Sequence, residues 1–199
     1  MAWNELVLQG FKKGASGRGR TAVTWRGGRA AVARASHRDQ GKPLLQAALT
    51  NVNVDGSGEV SLGGLQLDGS PLPKTAVSGV LANGSYQLLL EELPSAPRNE
   101  MRSAVGWRIK DRIETSLDDA VIELLEMPAH ARGGSNPSAY AIVAKRADIE
   151  SQVAQLKAGG LKLDALDLPE LCMRNLAVRL PQDQEGVAFL HFTEESGLL

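Results

Sequence analysis

Residues 86–128, YQLLLEELPSAPRNEMRSAVGWRIKDRIETSLDDAVIELLEMP, read as strand, amphipathic helix, strand, with a proline at each joint. In the middle, Met101, Val105, Ile109 and Ile113 recur every four residues with Ala104 beside them. This spacing predicts a helix over 100–113 with one apolar face. Pro97 stands at its start, where a missing N–H costs little. DAVIELLEM (119–127) predicts a strand that Pro128 ends. The stretch carries no evident catalytic group, so its value lies in what it says about architecture.

Downstream of it, HARGGSNP (130–137) reads as a loop and AYAIVAK (139–145) as a strand. A helix is expected over 148–157, with Ile149, Val153 and Leu156 on one face and Gly159-Gly160 as its stop. LKLDALDL (161–168) reads as a strand, Pro169 opens a helix through Leu180, and GVAFLHF (186–192) is a final strand. Residues 86–167 thus read β-α-β-β-α-β, which predicts a sheet with both helices on one face. Upstream, TAVTWR and AAVARAS flank Gly27-Gly28, a hairpin signal, and LLQAALT follows as a third strand. Residues 51–74, rich in Gly, Asn, Asp, Ser and Pro, read as loop. TAVSGVL (75–81) is a strand that Asn83-Gly84 turns into YQLLLEEL. The segments 20–85 and 168–193 would form a second layer into which the middle block is inserted.

With 199 residues, 43% hydrophobic and 23% charged, the chain has the composition of a globular protein able to bury a core. No apolar run approaches the ~20 residues that span a bilayer. MAWNELVLQG has no basic stretch ahead of an apolar one, so no signal peptide is expected. The lone Cys172 excludes an internal disulfide framework and fits a reducing compartment. The net charge of −1 is unevenly spread: Lys12, Lys13, Arg18, Arg20, Arg26, Arg29, Arg34, Arg38 and Lys42 face only Glu5 and Asp39 in the first 45 residues. Residues 1–19 read as a basic arm. Trp3, Leu6, Val7 and Phe11 fall near one helical face ahead of GASGRGR, a pattern that suits peripheral membrane contact or packing on the protein's own surface. No nucleic-acid partner is expected.

His37, His130 and His191 stand far apart, none with a metal-ligand neighbour at helical or hairpin spacing. GxSxG, HExxH, a Walker A loop and CxxC are all absent. The adjacent carboxylates Glu91-Glu92, Asp118-Asp119 and Glu194-Glu195 would point to opposite faces of a strand. They therefore cannot share a site and read as solvated turn or edge positions. Cys172, in LCMRNL, lies on an apolar helical face with no activating base and reads as an inert thiol. On the 100–113 helix, Arg108, Lys110, Asp111 and Arg112 form a charged face beside Trp107. The face fits solvated i,i+4 pairing involving Asp111 and Glu114. It also fits a groove for a partner peptide with Trp107 as its aromatic anchor.

AVGWRIKDRI followed by LDDAVIELLEMP resembles the matching segment of the PilM-type actin-like proteins of type IV pilus machines. AYAIVAKRADIESQVAQLKAGGLKLDALDLPELCMRNLA continues the resemblance, which is strong over 86–193, weaker over 20–50 and poor over 51–74. The cell-division protein FtsA and the cytoplasmic part of the secretion protein GspL share the architecture more distantly. The resemblance implies an α/β (mixed α+β) fold: the first lobe of an actin-like, ribonuclease H-like fold with an inserted βαββαβ subdomain. Subdomain 1A would be 20–85 with 168–185, subdomain 1C would be 86–167, and 186–199 would be the truncated start of a second lobe. It further implies a scaffold at the cytoplasmic face of the bacterial inner membrane. There it would hold the tail of an inner-membrane PilN-type protein, with the assembly ATPase a further candidate partner. Trp107, Arg108, Asp111 and Arg112 sit on the family's helix and are the expected partner-binding positions. Nucleotide-binding members place an Asp in the first hairpin, where this chain has Thr24 and Trp25. They place a second near 191–193, where it has His191, Phe192 and Thr193. Neutral side chains cannot replace carboxylates around Mg²⁺, so no cofactor and no ATPase activity are expected. An ATP site completed by other sequence, and a GspL-like secretion adaptor, are the alternatives.

Overall fold

The computed structural model describes residues 19–26, 29–36, 44–53, 66–67, 70–71, 76–127, 137–158, 163–178, 180–181, 186–192 and 197–198. It divides into two compact units: Met1–Asn83 with Ala154–Leu199, and Gly84–Val153. The basic arm, the Gly27-Gly28 turn, His37 and His130 lie outside the described residues.

The first unit is built on a five-stranded sheet. Its strands are β1 (Arg20–Arg26), β2 (Arg29–Ser36) and β3 (Leu44–Asn53), then, past the two-residue strands β4 (Gln66–Leu67) and β5 (Ser70–Pro71), β6 (Ala76–Val80). The fifth, β10 (Leu163–Asp167), arrives much later in the chain. The order is β10-β6-β1-β2-β3, with β1 antiparallel to β2, β2 antiparallel to β3, and β6 parallel to both β1 and β10. Alternation sets the faces: Thr21, Val23, Ala30, Val32 and Val77 are buried, while Ala22, Ala31 and Ala33 between them are half-buried. Gly79 in β6 is buried on the core face. A Cβ there would stand 2.9 Å from Leu166 Cδ2 and 3.3 Å from Leu163 Cδ1, so β10 leucines fill the space a side chain would need. At Asp164 the β10–β6 register slips, and the Asp164 carboxylate accepts from the Val77 N–H at 2.7 Å.

The second unit carries β7 (Tyr86–Glu92), α1 (Met101–Ile109), β8 (Ala120–Glu126), β9 (Ser138–Lys145) and the start of α2 (Arg146–Ala158). Its sheet is three-stranded and antiparallel, β7-β9-β8. The continuous apolar run AYAIVA is the middle strand, buried at Ala139 and from Ala141 to Ala144. Val105 and Ile109 of α1 pack with Ala120, Ala141 and Val143. Leu89, Leu93, Met101, Ile113, Ile122 and Leu124 surround this core. Gly106 lets α1 approach β8 closely: a Cβ would meet Ile122 Cδ1 at 3.1 Å.

Three differences from the sequence reading have physical causes. The 163–167 strand does not join the sheet of the middle block; it pairs with β6 in the five-stranded sheet. The C-terminal half of α2 belongs with that sheet too, its buried Leu156 lying beside Gly79. The two helices therefore do not share one sheet face. The helix expected through Ile113 ends at Ile109, where a tighter local turn and then a contact to β7 take over the backbone N–H groups. Arg112 N–H closes back on Ile109 O at 2.8 Å, and Glu114 N–H donates to Gln87 Oε1 at 2.8 Å. The GVAFLHF strand forms only at β11 (His191–Phe192), against β12 (Gly197–Leu198). Residues 186–190 have no neighbouring strand among the described residues, and Phe192 is 75% exposed. α3 (Pro169–Ala177) starts on its proline as expected.

Candidate partner-binding surface

The α1 helix starts from a turn in which Glu100 N–H donates to Pro97 O at 2.9 Å, so Pro97 precedes the helix rather than opening it. With Val105, Gly106 and Ile109 committed to the core, the opposite side of the helix faces out. Trp107 is 67% exposed there, and the Lys110 Nζ sits 5.6 Å from the centroid of its ring. That distance is within cation–π range and holds the indole over the last turn.

The four expected contact residues divide into two pairs. All four are exposed, but only Trp107 and Asp111 leave their side chains uncommitted to β7. Arg108 and Arg112 tie the end of the helix to that strand: Arg108 Nη1 donates to Glu92 O at 3.1 Å, and Arg112 Nη1 pairs with Glu91 Oε1. The i,i+4 pairing along the helix gives way to these tertiary contacts. Glu91 is buried, a correction to its reading as a solvated position. Leu89 and Glu91 share a strand face, so the carboxylate falls beside the core and needs a cation. Asp119 follows expectation: it is exposed in a turn, accepting from Ser116 Oγ at 2.8 Å.

Two features escaped the sequence reading. One is the seating of Lys110, a member of the expected charged face, over the Trp107 ring. Glu123 is the other: it is buried on β8 and meets Arg102 Nη2 at 2.9 Å, so α1 is pinned by ion pairs to both edge strands. Burial pushes the Glu123 carboxyl above its ordinary 4.5, against the opposing pull of Arg102 and of a backbone hydrogen bond at Leu124. Such a carboxyl binds more protons folded than unfolded between 4.5 and its raised value, so ionising it removes stability as pH rises through that window. Glu123→Gln is expected to flatten the dependence of Tm on pH above 4.5, since Arg102 is exposed enough to reach water without its partner. A uniform offset at every pH would refute this.

Cys172 is half-buried, and burial, reinforced by Asp167 and Glu170, pushes its thiol up to about 12. Almost no thiolate forms at neutral pH, which fits an inert thiol. Thr24 is half-buried in β1, opposite Ala31 and Val80, and His191 is exposed in β11; Thr193 lies outside the described residues. Among the described residues no group of three His, Cys, Asp or Glu side chains could hold a metal ion. No helix among them is long and apolar enough to cross a membrane.

No protein-family model matches the chain, and no curated protein matches it in sequence. Solved structures do match in fold. A chain of the PilM-PilN type IV pilus biogenesis complex superposes with a TM-score of 0.65 at 18% identity, over 80% of this chain and 50% of that one. The cytoplasmic domain of EpsL, an inner-membrane component of the type II secretion system of Vibrio cholerae, superposes with a TM-score of 0.55 at 16% identity. That match covers 77% of this chain and 58% of EpsL's. The chain thus has the actin-like fold expected from the resemblance and spans about half the length of these two structures.

Proposed function

We propose that this chain is a non-enzymatic scaffold of a type IV pilus biogenesis platform, of the MSHA type and in the role of an MshI protein. It acts at the cytoplasmic face of the inner membrane and holds the cytoplasmic tail of a PilN-type membrane protein. The observation that carries this reading is the fold shared over 80% of the chain with a member of the PilM-PilN complex. Trp107 gives the surface an exposed aromatic anchor, and Lys110 and Asp111 beside it supply charges of both signs. Thr24 and Trp25 stand where nucleotide-binding relatives carry an Asp. This favours capture of a partner over ATP chemistry.

The fold shared with EpsL supports a second reading, an adaptor in a type II secretion system. Calorimetric titration separates the two. The whole chain is titrated with the amino-terminal cytoplasmic peptide of a PilN-type protein from the same organism, with and without Mg-ATP. Saturable binding, micromolar in strength (about −8 kcal/mol) and indifferent to ATP, is expected. A folded chain that ignores the peptide but binds a secretion ATPase supports the adaptor. Mg²⁺-dependent ATP affinity overturns the non-enzymatic reading.

A further inference from the structure

The one cation buried among the described residues is Arg34, 7% exposed on the core face of β2 in line with Ala30 and Val32. A guanidinium is always charged and brings five N–H donors. Arg34 gives one of them to a neutral acceptor: Nε donates to Gln46 Oε1 at 2.8 Å. Its Nη1 is buried and meets no hydrogen-bond acceptor among the described residues. Arg102 and Arg112, both more exposed, each hold a carboxylate, whereas none of the described carboxylates pairs with Arg34. The sheet itself has no countercharge to offer. Its adjacent strands β6, β1, β2 and β3 contain Arg20, Arg26, Arg29 and Arg34 and no Asp or Glu. The carboxylates of the sheet, Asp164 and Asp167, are on β10, three strand spacings from β2, roughly 14 Å. Burial of a cation without a countercharge is strongly unfavourable, so the position calls for an anion from outside the sheet.

We propose that Arg34 is the recognition group of a site for a small oxyanion, a phosphate or a carboxylate. Gln46 is exposed, so the guanidinium lies within one hydrogen bond of a side chain at the surface, and the anion enters there. The planar fork of Arg34 takes two of its oxygens by charge-assisted hydrogen bonds. The Gln46 amide holds Arg34 through its oxygen and keeps its NH2 as a donor to the same anion. Thr21, directly opposite Arg34 on β1 and buried, brings a hydroxyl to the same face of the sheet. The site does not depend on the scaffold role proposed above.

Thermal unfolding of the whole chain tests this, in chloride buffer and with sodium phosphate or sodium acetate added at matched ionic strength. In the parent, Tm rises saturably with the oxyanion, as it does for a ligand that binds only the folded state. The anion that acts at the lower concentration tells phosphate from carboxylate. Arg34→Met, close in length but neutral, melts at or above the parent in chloride because a buried unpaired cation is gone. It keeps only the shallow, unsaturating rise that excluded salts give any fold. Arg34→Lys retains the charge without the fork and needs about tenfold more oxyanion for the same shift. Arg20→Met, at an exposed position on β1, responds like the parent. The Arg34 Nε–H resonance of the parent gives a reading free of any variant and shifts along the same curve. A Tm and a resonance indifferent to both anions overturn the proposal, as does a saturable rise of equal size in Arg34→Met. So does an Arg34→Met chain that melts below the parent in chloride, since a carboxylate of the chain itself would then hold the guanidinium.

Discussion

Ile109→Ala is expected to cost the Gly84–Val153 unit about 2–5 kcal/mol, the largest single loss available there. Ile109 is 0% exposed and sits where α1 meets Ala120, Ala141 and Val143. Two of those three are alanines, short side chains with no rotamers to swing into a void, so the cavity should stay largely open. The unit has only a three-stranded sheet and one helix on its core face, hence few other contacts to spread the loss over. Ile109→Val removes one methylene from the same place and should cost about 0.5–1.5 kcal/mol. Hydrogen exchange at β9 amides measures both: protection should fall there while β1 and β6, in the other unit, keep theirs. A loss below about 1 kcal/mol for the alanine variant would mean that the site collapses and the core is not centred on Ile109.

Much of this architecture was legible because the chain punctuates itself. Asn83-Gly84 marks the passage from one sheet to the other, and Gly84 takes the positive φ of 85° that the turn requires. AYAIVA announces a strand buried on both faces. What local pattern could not reveal is membership: LDALD has the same alternation whether it completes the inserted sheet or crosses back to β6. The deciding signal sits 87 residues away, where Val77 takes the Asp164 carboxylate. Two leucines of the same strand occupy the room that Gly79 leaves. Helix α1 shows the same limit. Periodicity found its apolar face, yet it could not tell that Arg108 and Arg112 would turn from their helical neighbours to β7, because that choice depends on where the strand lies. GVAFLHF shows the converse: only His191–Phe192 of it finds a strand, β12, and residues 186–190 have none beside them among the described residues.

The division among the four candidate residues gives the second large prediction, which rests on the proposed scaffold role. Trp107→Ala should leave Tm nearly unchanged, since an exposed ring contributes little to the fold beyond its contact with Lys110, about 0.5–1 kcal/mol. If the partner peptide covers that ring, it removes roughly 100–170 Å² of apolar surface from water, about 2–4 kcal/mol, so its Kd should rise by about 30-fold or more. Arg112→Ala makes the contrasting case. It strips the buried Glu91 of its cation, so it should lower Tm first and affinity only as a consequence. Asp111→Asn changes charge at an exposed rim and should alter the salt dependence of association more than its strength. Titrating the peptide into each variant, with Tm measured alongside, separates an anchor from a brace. An affinity loss at Trp107 without a Tm loss identifies a residue that touches the partner. A well-folded Trp107→Ala chain that binds as tightly as the parent would place the partner's seat elsewhere and leave the α1 cations as fasteners of the helix to β7.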